Sequence, residues 1–253
     1  MFDVIRIPAF KDNYIWLLRK GASAAVVDPG DARPVLEVLE REGLSLTTIF
    51  VTHHHADHQG GVRTLLAHFP AEVFAPAAES IAGVTKPVRG GETIRAAFCD
   101  DEFQVIAVPG HTLGHVAYYG AGCLFCGDTL FAGGCGRLFE GSAAQLFDSL
   151  SRLASLPDQT AVYCAHEYTE ANLRFALAVE PANRCLQSRV NEVAVARAKG
   201  WPTVPSTIAI EKATNPFLRC AESEVVASAR RRVSDVADEI AVFAALREWK
   251  NSF

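Results

Sequence analysis

The chain has 253 residues, of which 49% are hydrophobic and 21% charged, enough for one sizeable core and a smaller second unit, and this composition excludes a disordered chain. A formal net charge of −5 excludes non-specific binding to nucleic acid or anionic membrane, so an anionic small molecule would need a local basic patch. The start, Met1-Phe2-Asp3-Val4-Ile5-Arg6, carries no basic leader followed by an apolar stretch, and no run of about 18 apolar residues occurs, so a cytoplasmic protein is expected.

In chain order, residues 14–18 and 24–27 read as strands, the second ending in the turn Asp28-Pro29-Gly30-Asp31. A helix over 34–42 is stopped by Gly43. The β-branched run 49–52 is a strand that leads into Thr52-His53-His54-His55-Ala56-Asp57-His58, and Val62, Leu65, Leu66 and Phe69 follow at the spacing of one helix face. Further strands are expected at 73–75, 103–108, 116–119, 123–126 and 161–164, and an amphipathic helix over 144–156 ends at Pro157. This order suits a layered α/β (α+β) domain. After His166 the strand signals nearly vanish, and 170–179, 186–199 and a charged tail from about 222 to 250 read as helices. The expected domains are therefore 1–166 and 167–253.

Packing does not gather four histidines and an aspartate in one loop, whereas metal binding does. At a strand-to-helix junction His53 and His55 can face one side while Asp57 and His58, opening the helix, face an adjacent point. One segment can thus serve two metal centres. Partners appear after other strands, in Pro109-Gly110-His111, Gly127-Asp128 and Ala165-His166. Imidazole nitrogen with carboxylate oxygen suits zinc, iron or manganese. His54 lies out of phase and reads as structural, His115 as a support for the His111 loop, His68 as a helix residue and Asp28 as a turn residue. Seven irregularly spaced cysteines give no disulfide framework, and Cys123-Leu124-Phe125-Cys126 reads as buried small residues in a strand.

The segments THHHADH, PGHTLGH, GDTLF and AHEYT resemble the metallo-β-lactamase superfamily. Within it the resemblance is closest to the hydroxyacylglutathione hydrolase family, also called glyoxalase II. It extends from Phe10-Lys11-Asp12-Asn13-Tyr14 to Thr214-Asn215-Pro216-Phe217-Leu218-Arg219, nearly the whole chain. The resemblance implies an αββα sandwich followed by a small all-helical, substrate-binding C-terminal domain. It also implies two divalent metals, zinc by default with iron or manganese able to replace it. His53, His55 and His111 would hold one, Asp57, His58 and His166 the other, and Asp128 both. Asp57 and Asp128 are the expected catalytic carboxylates. Metal binding lowers the pKa of water from about 15.7 towards 7, so hydroxide can attack a thioester carbonyl without a serine triad.

The implied substrate is a glutathione thioester, S-D-lactoylglutathione, cleaved to D-lactate and glutathione in methylglyoxal detoxification. Arg137, Phe139, Tyr168 and Arg219 are the expected substrate-binding residues. Phe139 stands where some members have Tyr, and Glu222 where some have Lys. A glutathione persulfide dioxygenase with a single iron, or another hydrolase of the same fold, is the alternative. Neither a nucleic acid nor a membrane is an expected partner, and a monomer is expected.

Overall fold

The structure is a computed structural model that describes residues 2–233 and 236–253. One compact unit runs to Ala107 and resumes over Leu113–Gly127, and the other comprises Val108–Thr112 and Asp128–Phe253.

The first unit begins with an antiparallel meander, β1 (Asp3–Ala9), β2 (Asn13–Lys20) and β3 (Ser23–Val27). Helix α1 (Ala32–Glu42) then returns the chain so that β4 (Ser45–Phe50) lies parallel to β3. Asp31 caps α1 by accepting from the Arg33 amide, and Gly43 ends it at φ 64°, a left-handed conformation that glycine adopts without a Cβ penalty. The short helix α2 (Ala56–Gln59) and α3 (Val62–His68) lead to β5 (Glu72–Pro76) and β6 (Lys86–Val88), which complete a six-stranded sheet in sequence order. Val35, Val38 and Leu39 of α1 and Val62 and Leu65 of α3 pack with Ile7, Leu17, Val26 and Ile49 on one face of this sheet.

The other face meets a second layer made by β7 (Thr93–Arg95), β8 (Glu102–Ala107), β9 (Val116–Gly120) and β10 (Cys123–Gly127), all antiparallel neighbours. Phe50 stands 5.3 Å from Phe103 and 4.8 Å from Tyr118, ring centre to ring centre. Burial pushes the Tyr118 phenol well above its usual pKa, and its hydroxyl donates to the carbonyls of Val51 and Phe74. That double contact satisfies polar groups that would otherwise be stranded between two apolar layers.

β4 starts earlier than expected and stops before Thr52. The reason lies in hydrogen bonding: the Thr52 amide turns from the sheet to the Asp28 carboxylate at 2.8 Å. The expected strands over 14–18, 24–27, 73–75, 116–119 and 123–126 are present with bounds moved by one or two residues. β1, β6 and β7 were not anticipated.

The second unit opens with the small hairpin β11 (Leu130–Phe131) and β12 (Gly134–Cys135), followed by α4 (Ala143–Ala154). Ser142 and Gln145 form a reciprocal capping box at the start of α4. After β13 (Ala161–Cys164) come α5 (Thr169–Val179) and α6 (Arg184–Ala198). A strand absent from the expectation, β14 (Ser206–Thr207), pairs with β13, so the region after His166 is helical with one short exception. α7 (Ile208–Thr214) and a 3₁₀ turn at Pro216–Leu218 follow. The expected tail helix is divided into α8 (Ser223–Arg230) and α9 (Glu239–Ser252), and positions 234 and 235 of that expectation lie outside the described residues. Phe175, Phe217 and Phe243 form the aromatic core that holds α5 and α9 to the 3₁₀ turn.

Candidate metal centre

In the first unit the ligand-bearing loop springs from the end of β4. Asp28 organises it. Its Oδ1 accepts the Thr52 amide at 2.8 Å, and its Oδ2 accepts the Thr52 hydroxyl at 2.8 Å and stands 3.0 Å from Nδ1 of His58. Nδ1 of His53 lies 3.1 Å from the same hydroxyl. Both rings are therefore anchored through Nδ1, which leaves Nε2 as the nitrogen able to reach a metal ion, the usual way a protein fixes a metal-binding histidine. His53 Nε2 stands 3.0 Å from His55 Nδ1, and His58 Nε2 stands 3.6 Å from Asp57 Oδ2. Asn13, at the start of β2, donates to that Asp57 oxygen at 3.0 Å. Gly30 allows the turn beneath: a Cβ there would collide with the backbone carbonyl of Asp57.

The second unit presents His111, Asp128 and His166. Nδ1 of His111 lies 2.9 Å from the Arg137 carbonyl. Its Nε2 stands 3.4 Å from Asp128 Oδ2, while His166 Nε2 stands 3.3 Å from the other oxygen, Oδ1. Two donors each about 2.1 Å from one tetrahedral ion are about 3.4 Å apart, so both spacings fit a shared cation. Each oxygen of one carboxylate thus faces a different imidazole. Within each unit, groups able to share a metal ion lie close together: His53 with His55 and His58 with Asp57 in the first, His111 and His166 with Asp128 in the second. The donor set, imidazole and carboxylate without thiolate, suits zinc, iron or manganese.

A cavity of about 580 Å³ in the second unit is lined by His111 and Asp128 together with Arg137, Phe139, Tyr168, Arg247, Lys250 and Phe253. Three cationic side chains and one carboxylate line it, a local basic patch of the kind an anionic small molecule would need. Tyr168 lies parallel to His166 with ring centres 4.7 Å apart, and Phe131 sets its edge against both rings. Phe139 is 64% exposed and abuts His111.

Arg219, expected at the substrate, is not among the residues that line this cavity. Its guanidinium makes a two-point contact with the buried Glu180 at 2.8 and 2.9 Å and a further bond to the Lys212 carbonyl. The hydrogen-bonded Glu180 carboxylate raises its pKa further. The cations that do line the cavity, Arg247 and Lys250, come from α9 and were missed. Arg247 is held by the Cys135 carbonyl at 3.0 Å and lies over the Phe217 ring. Burial, aided by the neighbouring Arg247, lowers the Lys250 pKa to about 8.

Asp28 reads in sequence as a turn residue, and the structure makes it the partner of His58. Asn13 and Glu79 also escaped notice. Glu79 holds His54 at 3.1 Å and the Gly114 amide at 3.1 Å, which accounts for the structural reading of His54. His115 stacks on His53 at 4.6 Å, and its Nδ1 lies 3.1 Å from the Val116 carbonyl. Its ring and the Thr52 hydroxyl occupy the space a Cβ of Gly127 would need.

Residues 10–166 match the metallo-beta-lactamase superfamily, and residues 167–253 match the C-terminal region of hydroxyacylglutathione hydrolase. A hydroxyacylglutathione hydrolase from Dechloromonas aromatica is 57% identical over the full length of both chains. The chain belongs to the hydroxyacylglutathione hydrolase family of the metallo-β-lactamase superfamily. It is thus an enzyme of the hydrolase class with the metallo-β-lactamase fold and a helical C-terminal region. The hydroxyacylglutathione hydrolase of Methylobacillus flagellatus is 53% identical, again over the whole of both chains. Among solved structures, ETHE1 from Myxococcus xanthus superimposes with a TM-score of 0.66 at 26% identity, covering 100% of this chain and 99% of the other. The di-iron-bound form of TTHA1623 does so with a TM-score of 0.59 at 27% identity, covering 85% of this chain and 100% of the other.

Proposed function

We propose that the enzyme hydrolyses S-(2-hydroxyacyl)glutathione, converting S-D-lactoylglutathione and water to D-lactate and glutathione, the second step of methylglyoxal detoxification. The observation that carries this reading is Asp128, whose two oxygens face His111 and His166 in a cavity that also holds Arg137, Arg247 and Lys250. In this reading His53, His55 and His111 hold one divalent ion, Asp57, His58 and His166 hold a second, and Asp128 serves both. Zinc is the choice for both positions, with iron or manganese compatible with the same donors. When bound, the ions supply hydroxide at neutral pH and positive charge for the developing oxyanion.

The protein's own part is placement. Asn13 restrains Asp57, Asp28 fixes His58, and the Arg137 carbonyl fixes His111. Glutathione carries two carboxylates, and the cations Arg137, Arg247 and Lys250 are complementary to them. Tyr168 offers a hydroxyl and Phe139 an apolar wall at the same cavity. A thiol leaving group has a pKa of about 8.5, so it departs as thiolate without a dedicated general acid.

The reading divides the chain into a catalytic domain, 1–166, and a substrate-binding domain, 167–253. Support comes from Tyr168, Arg247 and Lys250, which belong to the second of these. No helix among the described residues is long and apolar enough to cross a membrane. The enzyme is read as a monomer acting in the cytoplasm on a small molecule.

The test is loss of thioester absorbance from S-D-lactoylglutathione, with metal content counted before and after chelation. Rapid hydrolysis with about two metals per chain, abolished by chelation and restored by zinc, is expected. Absence of hydrolysis at full metal loading would overturn the reading.

A further inference from the structure

We propose that Glu211 is a positioning residue for the loop 128–137, acting directly on Gly133 and through Asn215; the proposal rests on the metal-dependent reading given above. Glu211 sits on α7 and is fully buried, and its two oxygens serve different structures. Oε1 accepts from the Arg189 guanidinium at 2.5 Å and from the Ser206 hydroxyl at 2.5 Å, both on the helical side. Oε2 accepts the Gly133 amide at 2.8 Å and the Asn215 side-chain amide at 3.0 Å, both directed at the β11–β12 hairpin. Asn215, also fully buried, donates from the same nitrogen to the Gly134 carbonyl at 2.9 Å.

This hairpin is the middle of a closed loop. Asp128 stands at its start, and at its end the Arg137 carbonyl receives Nδ1 of His111 at 2.9 Å. The Gly136 amide closes back on the Thr129 carbonyl at 3.1 Å. A shift of Gly133–Gly134 is therefore passed to both ends, where Asp128 and His111 have donors 3.4 Å apart.

A helix interface alone does not need this charge. A buried ion pair can be replaced by apolar side chains of similar volume with little loss of stability. An apolar side chain would leave the Gly133 amide without its acceptor, and the turn would have to move to satisfy it. The carboxylate is therefore suited to a turn that must stay in one place.

Three full-length variants separate positioning from packing: Glu211→Gln, Asn215→Ala and Arg189→Lys. Glutamine at 211 must present an amide donor to one of the two sides, while the hydrogen bonds of Arg189 go to Glu211, Ser206 and Thr214, outside the hairpin. The primary readout is Zn²⁺ affinity, measured in competition with a chromophoric chelator, with kcat and KM as the second. Glu211→Gln and Asn215→Ala are expected to weaken Zn²⁺ binding about tenfold and to lower kcat with KM unchanged within about twofold. Arg189→Lys is expected to lower the melting temperature while keeping Zn²⁺ affinity and kcat. Wild-type Zn²⁺ affinity and kcat in a folded Glu211→Gln or Asn215→Ala protein would overturn the proposal, as would an equal loss of affinity in Arg189→Lys. If the wild type bound zinc without cleaving the thioester, the functional reading would fall while the affinity comparison still decided the role of Glu211.

Discussion

Asp28 and His58 are joined by a 3.0 Å contact between Oδ2 and Nδ1, and the aspartate is thirty residues upstream in the turn after β3. The contact fixes which imidazole nitrogen is able to reach a metal ion. Replacing Asp28 with Ala also removes the acceptor of the buried Thr52 amide. The expected outcome is a loss of zinc affinity of about ten- to a hundredfold and a stability loss of about 1–3 kcal/mol. Chelator competition and denaturant unfolding measure the two effects separately, and retention of full zinc affinity would show that His58 is oriented by other means.

Asp128→Ala removes the only carboxylate that faces both His111 and His166 among the described residues of the second unit. Metal counting after dialysis should find at least one equivalent lost, with most of the activity gone. Two metals and normal turnover in this variant would exclude a shared carboxylate.

Lys250 should give the enzyme a pH-dependent affinity for its anionic substrate. Its pKa is lowered to about 8 because burial penalises the charged form and Arg247 lies close by. The ammonium is thus present below that pH and is lost above it, so KM for the glutathione thioester should rise as pH passes through about 8. Lys250→Arg keeps the charge at all these pH values and should flatten the profile; an identical rise in that variant would assign it to another group. The sign for stability is opposite. A folded pKa below the unfolded value of 10.5 means that the charged lysine disfavours the fold; the penalty is full below about 8, shrinks as pH rises from there, and is gone above 10.5.

Arg219→Ala should leave KM unchanged within about twofold, because the guanidinium is committed to Glu180 and lies outside the substrate cavity. Glu180 is only 4% exposed and would lose its cationic partner, keeping Asn183, at a cost of about 2 kcal/mol. Urea unfolding measures that loss. A several-fold rise in KM with unchanged stability would return Arg219 to the substrate.

The donor types of the candidate centre were legible in the sequence because their chemistry is local. His53, His55, Asp57 and His58 occupy one loop after one strand, and His111, Asp128 and His166 each follow an apolar run. The main strands and helices were legible for a similar reason: periodicity and punctuation by residues such as Gly43 act over a few residues. β6, β7, β11, β12 and β14 were not, since strands of two or three residues carry too little pattern to stand out from loops, and the seven-residue β1 was missed as well.

What only the tertiary structure decided was partnership. Asp28 meets His58, Glu79 meets His54, and Glu211 meets Gly133 across 78 positions, none of which leaves a local signal. The same holds for the cavity's cations. Arg219, expected at the substrate from the family resemblance, pairs with Glu180, while Arg247 and Lys250, on an ordinary-looking charged helix, line the cavity. Long-range hydrogen bonds also decide which compact unit a segment packs into. Val108–Thr112, with His111, joins the later unit because the Gly141 amide bonds to Gly110 and the Ser149 hydroxyl to Pro109. Composition and short-range spacing determine which chemical groups a chain brings and on what elements; the pairing of those groups is set by burial and hydrogen-bond satisfaction over long separations, which appear only when the chain is folded.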